Sequence, residues 1–373
     1  MIMTSILMKL LPIDLLFFLT VLPAVRRNWW EIFYYSHQVM IVVLVILFMW
    51  HSSLLWYYAQ IPVYLYILDK LRRWYTIYTR PGNAVQITAF DDLVCLEVEV
   101  RSIFCRKWEF PHLVGSVAYL NIPKISFFQY HPMSVAFNDG NRLVFYIKTQ
   151  GAASSWSHKL AALSGVKDIR VYVEGPYTMV KRAADEKVIA SEKVVEKARA
   201  LMRYEYDDNA LFAAGGSGFA GIASYLNDAI ELIRKLPEEE QEKKNLSVVL
   251  VVPHHNHLDC MKTMLLKCLR YKFCHLYLYA TYSKHPELKA ASPKGVNEAS
   301  LSPRSPDIED TLVQYNVIHF TVSRPDMDSI VKDMSASAMT VFFCGPKNLE
   351  TSLNNALKKQ SKCYTMHSEV FNM

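Results

Sequence analysis

His131-Pro132-Met133-Ser134-Val135-Ala136-Phe137 lies between an apolar N-terminus and a C-terminal half that carries one glycine-rich loop, residues 215–221, and its reading decides the fold. By itself it is a strand start, because proline is tolerated at a first strand position and presets φ. Short β-rich runs surround it at 84–90, 94–100, 116–122 and 143–149, and the stretch itself supplies 133–137. Their alternating polarity, with turn residues such as Asn138-Asp139-Gly140-Asn141 between them, predicts a small antiparallel barrel.

The bulk composition narrows the class. A chain of 373 residues has room for two or three domains, and 51% hydrophobic residues points to a membrane portion. The net charge of +6 is spread along the chain, which gives a nucleic-acid partner no support. Seven cysteines, an odd number with no CxxC or Cys/His metal spacing, fit reduced thiols in the cytosol better than a disulfide framework.

The membrane portion is expected in residues 1–80, with spans over 5–25, 34–58 and, including aromatic residues before Pro62, 59–68. His37 and His51 are 14 positions apart, about 21 Å of helical rise and about 40° short of four full turns. They therefore share one helix face at opposite depths. Two readings stay open, helix-packing or interfacial histidines and one axial ligand for each of two stacked haems. Arg26-Arg27 before this helix, with Lys70, Arg72 and Arg73 after the next, puts the basic clusters and everything beyond them on the cytosolic side.

Beyond the barrel the chain alternates. A strand at 210–214, the loop Gly215-Gly216-Ser217-Gly218-Phe219-Ala220-Gly221 and a helix at 222–236 form an anion cradle, since glycines admit phosphate and the helix dipole favours it. Strands at 246–252, 274–281, 315–322 and 340–344, with helices at 258–269 and 327–334, imply a parallel sheet. Residues 183–203 are expected to be an inserted exposed helix and 283–309 a disordered insertion. Ile147-Lys148-x2-Gly151, with Ser154, Ser155 and Ser157 before an apolar helix, is either a pyrophosphate site or an ordinary capped helix. Arg324 is either a nucleotide-phosphate ligand or a surface ion pair.

Taken in order, these motifs resemble the ferric reductase and NADPH oxidase superfamily, with the fungal metalloreductase branch the nearer match. The resemblance rests on Arg26-Arg27-Asn28-Trp29-Trp30-Glu31-Ile32-Phe33, the His37-x13-His51 pair and Asp69-Lys70-Leu71-Arg72-Arg73. It continues through Gly115-x3-Tyr119-Leu120-Asn121-Ile122-Pro123, His131-Pro132-Met133-Ser134 in place of His-Pro-Phe-Ser/Thr, and Gly175-Pro176-Tyr177-Thr178 in place of Gly-Pro-Tyr-Gly. Ala214-Gly215-Gly216-Ser217-Gly218, Ser323-Arg324-Pro325, Phe343-Cys344-Gly345-Pro346 and Glu369-Val370-Phe371 complete it.

The resemblance implies a membrane α-helical segment (1–80), an antiparallel β-barrel FAD domain (81–180) and an α/β nucleotide-binding domain (181–373) with insertions at 181–207 and 283–310, the last two ferredoxin-NADP reductase-like. It implies FAD against His131, Pro132, Met133 and Ser134, with Lys148 and Gly151 nearby. NADPH would lie on Gly215, Gly216, Gly218, Arg324, Gly345 and Pro346, with Cys344 lining the nicotinamide and Phe371 shielding the flavin. Haem b iron would be held by His37 and His51.

The family has six spans and a second histidine pair; only one pair falls in residues 1–80. The chain is then expected to be shortened at its N-terminus, to borrow ligands from an oligomeric partner, or to have lost haem. The implied activity is NADPH-driven reduction of ferric or cupric chelates across a plasma or internal membrane. Alternatives are a superoxide-generating oxidase acting on oxygen, a haem-free anchored NADPH diaphorase, and a non-catalytic regulatory paralogue.

Overall fold

The computed structural model describes residues 22, 23, 25, 30–51, 53–103, 114–178, 209–281, 318–321, 323–334 and 338–368. They divide into two compact units, residues 1–76 and 77–373. The expected insertions at 183–203 and 283–309, Arg26, Arg27 and most of the segment 5–25 lie outside the described residues.

The first unit holds helix α1 (Trp30–His51) and helix α2 (Ser53–Thr79), which continues past the unit's boundary. Here the sequence reading is corrected. Spans were expected over 34–58 and 59–68, but no helix among the described residues is long and apolar enough to cross a membrane. Residue composition gives the reason. The aliphatic run of α1, residues 39–47, rises roughly 14 Å, about half the hydrocarbon thickness of a bilayer. In α2 the uncharged residues 54–68 include Gln60 and four tyrosines, and the helix then carries Asp69, Lys70, Arg72 and Arg73, with Arg73 Nε 2.8 Å from Asp69.

The barrel opens the second unit. Its strands are β1 (Pro81–Phe90), β2 (Leu93–Val100), β3 (Ser116–Asn121), β4 (His131–Ser134), β5 (Phe137–Asp139), β6 (Arg142–Lys148) and β7 (Ile169–Thr178), in the order β4-β3-β7-β1-β2-β6-β5, every pairing antiparallel. The single run expected over 133–137 is two strands. Val135 N–H bonds Ser116 O at 2.9 Å while Ala136 N–H bonds Val144 O at 2.9 Å, so the chain changes partner between adjacent residues and closes the barrel. Alternating apolar residues of β1, β2, β3, β6 and β7 fill its interior, together with Trp156 and Leu160 of the short helix α3 (Trp156–Ala161).

Next comes a six-stranded sheet. Strands β8 (Asn209–Gly215), β9 (Asn245–Val252), β10 (Cys274–Ala280), β11 (Ile318–Thr321), β12 (Ala338–Cys344) and β13 (Cys363–Ser368) lie in the order β11-β10-β9-β8-β12-β13, all parallel. The chain steps outward from β8 to β11, then crosses back to place β12 on the other side of β8. That reversal opens a crevice at the carboxyl ends of β8 and β12. Helix α4 (Phe219–Ile233), the short α5 (Glu238–Gln241), α6 (Asn256–Cys260), α7 (Lys262–Leu269), α8 (Met327–Asp333) and α9 (Lys347–Lys359) make the connections. The edge strand β13 was not anticipated, because Cys363-Tyr364-Thr365-Met366-His367-Ser368 lacks a long apolar run.

The two sheets share one core. Leu93, Ala136, Val144 and Tyr146 of the barrel are buried in the same cluster as Phe219, Ile222 and Leu226 of α4 and Cys260 of α6. Tyr146 stacks on Phe219 with centroids 6.0 Å apart, and burial pushes its phenol well above the usual range. Deleting a large buried aromatic costs about 3–5 kcal/mol through lost transfer energy and the cavity left behind. Tyr146→Ala is therefore expected to loosen the seam and leave each sheet's own core intact. Thermal unfolding by tryptophan fluorescence should split from one transition into two; a single transition at an unchanged midpoint would contradict a shared core.

Candidate functional site

The crevice between β8 and β12 brings together residues 130 positions apart in sequence, with Ala214 and Cys344 paired in register. Gly215 ends β8, and Gly216 and Gly218 lie in a 3-10 turn (Gly216–Gly218) that leads directly into α4. Cys344-Gly345-Pro346 leaves β12 beside it. A Cβ placed on Gly218 would lie 2.3 Å from Cys344 O, and one on Gly215 would lie 2.5 Å from Pro346 Cδ, so glycine is required at both positions. Gly216, with φ +55°, has nothing within 4 Å of such a Cβ. The turn is thus tight against protein on one side and open on the other. Helix α4 has no side-chain cap at its N-terminus, and its Phe219 N–H bonds the Gly216 and Ser217 carbonyls of the turn, so turn and helix present one electropositive end that suits an anion. A nucleotide pyrophosphate fits these features.

Cys344 is fully buried, with its Sγ 3.3 Å from a Cβ built on Gly218. Arg324 is exposed in the loop between β11 and α8. There Asp326 caps α8 by accepting from the Asp328 and Ser329 amides at 3.1 and 3.4 Å. Phe371 lies outside the described residues.

On the barrel side, β4 places His131, Pro132, Met133 and Ser134 opposite Leu120, Tyr119, Ala118 and Val117 of β3. Met133 packs against the barrel core and Pro132 is exposed. His131 lies on Trp156, ring centroids 4.3 Å apart, which ties β4 to α3. Burial lowers the His131 pKa from 6.5 to about 4. Lys148, at the end of β6, is 3.8 Å from Asp92. Gly151 has φ +81°, and the serines after it fold the loop onto itself. Ser155 Oγ donates to Gln150 O at 2.7 Å, Ser157 Oγ to the same carbonyl at 3.1 Å, and Gln150 N–H to Ser157 Oγ at 2.9 Å. Ser155 occupies the N-cap of α3 without a side-chain capping bond, and its hydroxyl serves the loop instead.

His37 and His51 both lie on α1, and the His37 ring is 5.3 Å from that of Phe33. Residues 1–80 contain no third histidine.

Sequence reasoning missed the contacts that orient the crevice against the barrel. His257, buried in α6, has Nε2 2.8 Å from Asp92 Oδ1 in the β1–β2 turn. Burial lowers its pKa and Asp92 opposes that shift. Asn256 Nδ2 is 3.5 Å from Asp91. On the other flank Gly115 N–H bonds Ser224 Oγ at 2.9 Å, and a Cβ on Gly115 would fall 2.2 Å from Tyr225 Oη. One signal was available. His254-His255-Asn256-His257 directly follows an apolar strand, where parallel sheets place ligand loops.

A depressed histidine pKa has a definite sign. Between pH 6.5 and about 4 the unfolded chain binds a proton at residue 131 that the folded chain does not, so stability falls as pH drops through that window and this residue has no effect above it. His131→Phe keeps a ring on Trp156 and removes the titration. Its melting temperature should decline less steeply than the parent's between pH 6.5 and 4. Parallel declines would show that His131 is not held neutral.

Comparison with known proteins agrees with this architecture. Residues 81–181 match an FAD-binding domain family, and residues 207–358 match the ferric reductase NAD binding domain family. Ferric reduction oxidase 3, mitochondrial, of Arabidopsis thaliana is 27% identical over 221 residues, covering 58% of this chain and 27% of that protein. Ferric reductase transmembrane component 1 of Schizosaccharomyces pombe is 22% identical over 318 residues, covering 78% of this chain and 54% of that protein. Among solved structures, the cytochrome b5 reductase domain of Ulva prolifera nitrate reductase is similar over 79% of this chain and 98% of that one, at 10% identity and TM-score 0.45. The chain spans about a quarter of the plant relative and about half of the fission yeast one. With its antiparallel barrel, its parallel sheet and both domain matches in that order, the chain belongs to the ferric reductase-like oxidoreductase family and carries that family's FAD- and NAD-binding domains.

Proposed function

We propose that the chain is the electron-input part of a membrane flavoprotein reductase that oxidises NADPH and delivers electrons to ferric or cupric chelates. The observation that carries this reading is the packing of the Gly215–Gly218 turn on Cys344-Gly345-Pro346 at the sheet's switch point. In this reading residues 81–180 hold FAD and residues 181–373 hold NADPH. The open side of Gly216 and the uncapped start of α4 take the pyrophosphate. The exposed guanidinium of Arg324 meets the adenosine phosphate by charge-assisted hydrogen bonds. Buried Cys344 fixes the floor on which the nicotinamide rests. Pro132, Met133 and Ser134 support the isoalloxazine and ribityl, and Lys148 and Gly151 flank the FAD phosphates. Phe371 shields the flavin, a role that rests on family resemblance. When bound, FAD accepts two electrons together and releases them singly.

The helices supply the route outward. Large apolar side chains are exposed along both α1 and α2, among them Val39, Val42 and Ile46 and then Ile61, Leu65 and Leu68, as expected of helices that lie among lipid or other apolar helices. His37 and His51 would each give one ligand to a haem b, with the second imidazole of each pair coming from an oligomeric partner. The nucleotide domains then face the cytosol beneath a plasma or internal membrane, and oxygen is the alternative acceptor. One observation favours a second reading, a haem-free anchored NADPH diaphorase: no helix among the described residues is long and apolar enough to cross a membrane.

Purified in detergent with FAD, the full chain is expected to oxidise NADPH with a ferric chelate as acceptor. Gly218→Ala should reduce that rate at least about tenfold, since its Cβ collides with Cys344 O and even ~1.4 kcal/mol of misplacement costs a factor of ten. No NADPH oxidation by the parent chain would reject the proposal. A reduced-minus-oxidised visible spectrum separates the two readings, a b-type haem band supporting the transmembrane path and FAD without haem supporting the diaphorase.

A further inference from the structure

We propose that Tyr119 and Tyr177 form an aromatic wall on the outer face of the barrel, against which the isoalloxazine of FAD stacks, with Glu174 holding Tyr177 in place; this rests on the electron-input reading above. Directly opposed residues of antiparallel strands share a face, and successive residues alternate. Met133 is opposite Ala118, and His131 is opposite Leu120, which in turn is opposite Val173. Ala118, Leu120 and Val173 are buried in the barrel core, Met133 packs against it, and His131 lies on the core residue Trp156. Pro132 and Ser134 therefore turn outward. So do their partners Tyr119 and Val117 on β3, and Glu174, which is opposite Tyr119 on β7. Met133 backs the strand from inside, and the rings beside its outer surface belong to β3 and β7.

Tyr177 joins this face through an irregularity in the sheet. Strict alternation from Glu174 would send Tyr177, three residues on, into the barrel. Instead the register shifts between Val117 and Tyr119, so that Tyr177 stands opposite Val117, and a bulge of this kind re-aims a side chain. Gly175 makes the shift possible, since its φ is +137° and a Cβ there would fall 3.2 Å from Val117 O. The re-aimed ring is edge-on to Tyr119, with centroids 5.6 Å apart, and its hydroxyl donates to Oε1 of buried Glu174 at 2.5 Å. Tyr177 is nonetheless 41% exposed. A ring anchored at its hydroxyl and open over much of its surface is ready to stack on a flat partner.

Position identifies the partner as the flavin. Exposed Pro132 and half-buried Ser134 of β4 share the face with the two tyrosines. Ser116, next to Val117, is opposite Thr178, next to Tyr177, and Gly115 N–H bonds Ser224 Oγ of α4 at 2.9 Å. Ser224 lies roughly 8 Å along α4 from its first residue, Phe219. The Tyr177 end of the wall is thus the end toward the glycine turn. A ring stacked here touches β4 and lies toward the nucleotide crevice, the position that a flavin needs in order to meet a nicotinamide.

The full chain is purified in detergent and titrated with FAD and with riboflavin, which carries the isoalloxazine without the phosphates. Tyr119→Leu and Tyr177→Leu should each weaken both ligands by about tenfold, the size of one aromatic stacking contact. The double variant Tyr119→Phe/Tyr177→Phe keeps both rings and should retain the affinity. Its bound riboflavin should fluoresce more strongly than the parent's, because a phenol in contact with isoalloxazine quenches its emission and a phenyl ring does not. This double variant preserves shape, so it decides the matter even where a leucine variant fails to fold. Unchanged riboflavin affinity in both leucine variants, or unchanged bound-flavin emission in the double variant, would overturn the proposal; NADPH oxidation by the FAD-loaded parent would then leave the electron-input reading standing. Loss of NADP+ affinity with riboflavin affinity intact would give the wall to the nicotinamide and equally overturn it. A parent chain that binds neither riboflavin nor FAD would overturn both.

Discussion

The shared core between barrel and parallel sheet is the constraint on which the rest depends. Each sheet has an interior of its own, but Leu93, Ala136, Val144 and Tyr146 on one side and Phe219, Ile222 and Leu226 on the other belong to a single buried cluster. Apolar burial is non-directional, so this core alone would tolerate sliding. At its edges a buried hydrogen bond from Gly115 N–H to Ser224 Oγ ties the two together, and His257 and Asn256 lie beside Asp92 and Asp91. Lys267 adds a further link, lying 5.5 Å over the Phe137 ring while its Nζ meets Asn227 and Glu231 at 2.6 Å. The seam places α4, whose N-terminus carries the glycine turn, against the barrel.

That arrangement explains why the glycines cannot be replaced at equal cost. Gly215 and Gly218 are closed in by Pro346 and Cys344, and Gly115 is closed in by Tyr225. All three bring backbone within contact distance of a neighbouring segment. Gly216 differs, since its positive φ turns the chain where no protein atom is near. A single turn therefore combines a rigid rear face with an accessible front.

Much of this was legible in the sequence, for identifiable reasons. The parallel strands β8 and β9 are near-continuous apolar runs buried on both faces, the pattern that such sheets impose, while β10 alternates, with His275 and Tyr277 half-buried. The glycine turn and Cys344-Gly345-Pro346 were paired by motif, and the switch-point topology brings them together. Errors arose where tertiary context overrides local pattern. Residues 133–137 look like one strand, but the change of partner at Val135 and Ala136 is a property of barrel closure. The edge strand β13 is half exposed and carries little apolar signal. The membrane helices were read from hydropathy over 34–58, a window that joins the end of α1 to the start of α2. The seam was invisible for a different cause, because Asp92 and His257 are 165 positions apart and neither has a local pattern.

On the electron-input reading proposed above, the site has no need of acid–base chemistry, and its electrostatics suit that reading. A general acid or base works best with a pKa near the working pH, yet burial pushes His131 to about 4 and lowers His257 as well. Cys344 is fully buried against the glycine turn, so it supplies shape there. What these residues have in common is fixed position in an environment of low polarity, with charge kept to the rim at Lys148, Asp92 and Arg324. In that same reading, this is the setting two flat cofactor rings need. The chemistry is then left to the cofactors, and the protein contributes the distance.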